Sequence, residues 1–105
     1  MIYIYTAVFT PEPSENNKNL LSVYFPDLPM CHTCGDNIQD ALEMAKDVLC
    51  LHLYRMEEGD DDLPLPPEPT PPQNIKVEGD SFISLISVDT NDYRRFYAEH
   101  QVSGF

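Results

Sequence analysis

Between residues 38 and 56, apolar side chains recur at the spacing of one helical face. Ile38, Ala41, Leu42, Ala45, Leu49, Leu53 and Met56 fall in one stripe at about 100° per residue, with Asp40, Glu43, Asp47 and Glu58 roughly opposite. Such a stripe must be buried against another element, and the rest of the apolar sequence is of strand type. Met1–Thr10 is β-branched and aromatic, which reads as a strand covered on both faces, or on one face with tyrosines on the other. Pro11–Asn19 is turn-rich, Leu20–Phe25 is a second strand stopped by Pro26-Asp27-Leu28-Pro29, and Met30–Cys34 forms a short third. Short connections favour an antiparallel meander. Asp36 with Gln39 reads as the helix cap and Gly59 as its terminator.

Six of the ten prolines lie in Leu63–Pro72. Polyproline II rises about 3.1 Å per residue, so Pro64–Pro72 spans about 28 Å, close to the roughly 30 Å of a helix of about 20 residues. The tract is therefore expected to run back along the helix and lead into a fourth strand, Phe82–Asp89, by a right-handed return. Thr90–Phe105 reads as a short helix or turn. The fold class that follows is α+β: a small β-β-β-α-β sheet with one main amphipathic helix on one face, as a single domain over residues 1–105.

Charge narrows the functions open to this domain. Eighteen Asp and Glu against six Lys and Arg give −12, a surface that repels nucleic acid and anionic membranes and suits a small basic partner. Six of the 18 acids lie between Glu57 and Glu68, where Glu57-Glu58-Gly59-Asp60-Asp61-Asp62 lacks the ligand spacing of a calcium loop and reads as solvated. Three cysteines cannot all pair, and no charged-then-apolar leader opens the chain, which points to reduced thiols and a cytoplasmic protein. No apolar run approaches a membrane span.

Cys31-His32-Thr33-Cys34 has the spacing of a redox or zinc motif. A thioredoxin-like unit would need a strand–helix–strand before it, which residues 1–30 lack. A zinc site would need Cys50 and His52, about 200° apart on a helix. Neither use is expected, and no cofactor, metal or catalytic residue is assigned. The P-x-x-P spacings, such as Pro64 to Pro67, lack a flanking Arg or Lys and read as a structural spacer rather than a docking peptide. Two surfaces remain. Met44, Val48 and Leu51 form a second apolar strip on the helix beside Tyr54, to be covered by the proline tract or by a partner. Tyr3, Tyr5 and Tyr24 could share a sheet face and stack bases, although the positive potential of RNA-binding sheets is missing.

The string Ser22-Val23-Tyr24-Phe25-Pro26-Asp27-Leu28-Pro29, then Cys31, Thr33, Gly35-Asp36 and Asp40-Ala41-Leu42 with Ala45, resembles the HicB-like antitoxin family. Tyr5–Phe9 is similar to the family's first strand, Pro64-Leu65-Pro66 to its proline return, and Phe82–Asp89 with Tyr93-Arg94-Arg95 to its last strand and ending. The resemblance implies a partial ribonuclease-H-like domain without metal-dependent catalysis. Consistently, Met1–Thr10 holds no acidic residue to bind the ions of two-metal hydrolysis. It further implies a protein that binds and neutralises a small basic ribonuclease toxin of the HicA type by occlusion. A small RNA-binding domain using the aromatic face, or an orphan interaction domain of this family, are the alternatives. A homodimer or higher homo-oligomer is expected, from an exposed edge strand and the apolar strip. The chain departs from the family at Met30, where Gly is usual, and by ending at Phe105. Many members carry a C-terminal DNA-binding module, so direct DNA binding is not expected here.

Overall fold

The computed structural model describes residues 1–59 and 63–93. Four strands, β1 (Ile2–Pro11), β2 (Leu21–Phe25), β3 (Leu28–Gly35) and β4 (Phe82–Asp89), form one sheet in the order β3-β2-β1-β4, with a single long helix, α1 (Ile38–Glu57), between β3 and β4. All three pairings are antiparallel. The β-β-β-α-β order and the α+β class are those expected from the sequence. The right-handed return is not applicable: β3 and β4 run antiparallel to one another, whereas the handedness rule concerns parallel strands.

Side chains alternate across the sheet. Tyr5, Ala7 and Phe9 of β1, Val23 of β2, Cys31 of β3 and Ile86 and Val88 of β4 share one face and pack against Ala41, Ala45, Leu49, Leu53 and Met56 of α1. The helix stripe is as expected except at its ends, where Ile38 is exposed and Leu42 is half-buried. Ile2, Ile4, Tyr24 and Leu85 lie on the other face and are exposed, and no helix packs there among the described residues.

Several boundaries move. The N-cap is Asn37, not Asp36: its Oδ1 accepts from Asp40 N–H at 2.8 Å, while Asp40 Oδ2 accepts from Asp36 N–H at 2.9 Å. Gly59 follows the helix at φ +69°, the left-handed conformation that ends helices. β3 extends back to Leu28 through Pro29 and pairs with β2 across a register shift at Tyr24/Phe25. Pro29 is tolerated because β3 is an edge strand.

The proline tract leaves α1 with Leu63 against the core. The Tyr5 hydroxyl then donates to the Pro67 carbonyl. Farther on, Thr70 donates its N–H and its hydroxyl to the Asp27 carboxylate, at 2.7 and 2.5 Å. A 3₁₀ turn at Pro72–Asn74 leads on toward β4. Beyond β4, residues 90–93 are helical. Asp60–Asp62 and the rest of the expected tail, with Arg94, Arg95, Phe96 and Tyr97, lie outside the described residues.

Candidate functional site

The second apolar strip of α1 lines a groove. Met44, Val48 and Leu51 recur on one side of the helix. They meet Thr33 of β3 and Tyr93 just after β4 around an open space of about 620 Å³, with Cys50 also in its wall. Asp47 and Asp92 stand among the lining residues, placing carboxylates beside an apolar floor. Tyr54 does not line the groove; its ring packs on Tyr93 at 5.1 Å and 45°. The expected cover by the proline tract is absent, because no residue of 63–72 is among the described lining residues. That tract is held away by Tyr5 and Asp27. Nothing in the helix period marked Thr33, Asp92 or Tyr93, since only tertiary packing brings them to α1.

Cys50 Sγ donates to the Asp89 carbonyl at 3.6 Å. Burial pushes its thiol up, the nearby Asp92, Asp47 and Asp89 add to this, and a backbone hydrogen bond from Tyr93 opposes it. A thiol held protonated next to apolar side chains adds no charge to the groove.

The three tyrosines do not make one platform. Tyr24 is opposite Val8 of β1 and His32 of β3, on the face away from the helix. Tyr3 and Tyr5 are opposite Val88 and Ile86, on the helix side. Odd and even positions of β1 point to opposite faces, so this register separates them. Tyr5 is 1% exposed, and its hydroxyl is pushed up by burial and then by Asp27 and Glu68. Tyr3 stacks on Tyr5 at 6.3 Å and donates to Glu57 Oε2 at 2.8 Å. Burial first, and then the hydrogen bond and charge of Glu57, push its hydroxyl up to about 12. Both are structural tyrosines and leave no pair of rings for stacked bases.

The two thiols of the Cys-x-x-Cys segment are also separated. Cys31 is fully buried against the helix, and burial pushes its thiol up to about 12. Cys34, three residues along a strand, is exposed and points to the other face. Among the described residues, no three His, Cys, Asp or Glu side chains converge as a metal site, and no helix is long and apolar enough to cross a membrane.

The family model described as the HicB_like antitoxin of bacterial toxin-antitoxin systems matches residues 8–102. The chain belongs to that family. No curated protein matches it, but solved structures do. A chain of the toxin–antitoxin complex from Streptococcus pneumoniae superposes with a TM-score of 0.73 at 26% identity, covering 89% of this chain and 73% of that one. The N-terminal domain of Burkholderia pseudomallei antitoxin HicB gives 0.64 at 19% identity, covering 83% and 99%. A chain of the HicA3 and HicB3 toxin–antitoxin complex gives 0.61 at 22%, also covering 83% and 99%. The last two speak for the fold. The HicB-like domain thus places its acid-flanked groove on the outer side of the single helix, separate from the core beneath it.

Proposed function

We propose that this HicB-like antitoxin captures a small basic ribonuclease toxin of the HicA type and neutralises it by occlusion, acting in the cytoplasm without catalysis or a cofactor. The observation that carries the reading is the family match over residues 8–102. The likeness to the Streptococcus pneumoniae toxin–antitoxin complex supports it. The groove supplies a seat. Met44, Val48 and Leu51 offer apolar burial, and Asp47 and Asp92 offer charge partners for Lys or Arg. A chain of −12 draws a cationic protein from a distance and competes with RNA for its basic surface. Tyr54 contributes indirectly, by holding Tyr93 in place. Direct DNA binding is not part of this reading, and neither is RNA binding by the tyrosines.

Co-expression with small basic proteins from the same operon tests it. Rescue from growth arrest with a co-eluting complex is expected, and Leu51→Glu should lose both. Unchanged toxicity without a complex would overturn the proposal.

A further inference from the structure

The outer edge of β4 is built for pairing, and its geometry follows from the register. Thr90 N–H donates to the Met1 carbonyl at 3.0 Å. Met1 and Thr90 therefore extend the β1–β4 ladder as a hydrogen-bonded pair. Antiparallel ladders alternate between hydrogen-bonded and non-hydrogen-bonded pairs. Counting back from Thr90, the hydrogen-bonded positions are Tyr3–Val88, Tyr5–Ile86, Ala7–Ser84 and Phe9–Phe82. Ile83, Leu85 and Ser87 must then turn their backbone N–H and C=O groups outward. β4 pairs with β1 alone among the described strands. The outward groups meet no other described backbone, and only the Leu85 carbonyl takes a long 3.4 Å contact from the Ser84 hydroxyl.

Natural edges are guarded by charge, proline or a bulge. The opposite edge, β3, has Pro29 and a register shift. β4 has none of these: Phe82-Ile83-Ser84-Leu85-Ile86-Ser87-Val88 is uncharged and proline-free and pairs with β1 in unbroken register. In a chain of −12 this is an unusually neutral stretch. The side chains above the edge are apolar and open, with Leu85 at 57% and Ile4 at 49% exposure.

We infer that the β4 edge is the seat of a second copy of this chain, joined across a two-fold axis at Leu85 into one continuous antiparallel sheet. Two-fold symmetry makes the joined strands antiparallel, because each copy presents the same patch. With Leu85 opposite Leu85 of the second copy, Ile83 meets Ser87 and Ser87 meets Ile83. All three are outward-facing positions, so the ladder is complete. In the same register Asp89 meets Ser81 and Asp80 meets Thr90, so no carboxylate faces another. Charge favours a second copy at this edge over a basic partner, which would find no acid between Phe82 and Val88. The groove residues are not used.

Sedimentation velocity over a concentration series, with amide exchange on the same samples, tests the pairing. Twice the chain's mass is expected, with the Ile83, Leu85 and Ser87 amides protected as the dimer forms. Leu85→Lys sets two like charges opposite each other and should weaken the dimer about tenfold or more. Ser87→Pro removes an outward N–H without touching β1 and should do the same. A chain that stays monomeric at every concentration overturns the inference. So does a dimer indifferent to both variants, or protection of these amides only when a toxin is added. Toxin neutralisation is scored separately by growth rescue, so the two proposals fail independently.

Discussion

Gly35 joins β3 to α1 with no room for a side chain: a Cβ there would lie 2.4 Å from the backbone nitrogen and Cα of Ala41. Gly35→Ala must push the helix off the sheet and is expected to cost about 3 kcal/mol. A lowered urea midpoint checks this, and an unchanged one would mean that the junction yields. A second expectation concerns alkali. Tyr3 and Cys31 hold their protons more tightly in the fold, each up to about 12 from ordinary values of 10.0 and 9.0. Above about pH 9 the unfolded chain releases protons that the folded chain keeps, so their contribution is full below that pH and is lost as the pH rises toward 12. Unfolding free energies measured from pH 8 to 11 should fall, and Tyr3→Phe should flatten only the part above about pH 10. Some of this residue-level detail was hidden in the sequence. Asp36 and Asn37 are both good caps, and only the extended backbone of Asn37, at φ −158° and ψ −179°, decides between them.

At the scale of elements, the helix and the four strands were legible because each carries a clear period. Pro29 was wrongly taken as a stop because a proline is excluded only where the ladder needs its N–H, and an edge position does not. The tyrosine face failed for a different reason. Which residues share a face of two strands depends on pairing register, which the irregular turn from Pro11 to Asn19 does not announce. The groove was half legible: the helix period exposes Met44, Val48 and Leu51, but not the residues that fold over from β3 and from beyond β4. The proline tract is fastened to the sheet through Asp27 and Thr70. Asp27→Ala leaves both Thr70 donors unmatched, at a cost of about 1–3 kcal/mol. Limited proteolysis should then cut within residues 63–71 faster than in the parent; equal rates would show that Pro67 and Tyr5 suffice.

For the whole molecule, a chain of −12 is expected to find a cationic partner by long-range attraction. Stopped-flow association with the toxin should slow by about tenfold as salt is raised from 50 to 500 mM, with a much smaller change in dissociation. A rate indifferent to salt would assign recognition to the groove alone. The alternation that divides Cys31 from Cys34 also has a practical use. A maleimide dye has an exposed thiol at Cys34 and a fully buried one at Cys31. A fluorophore at Cys34 would sit on the far side of the sheet from the groove, so the protein comes with a reporter position that can follow capture of its partner without standing in the way.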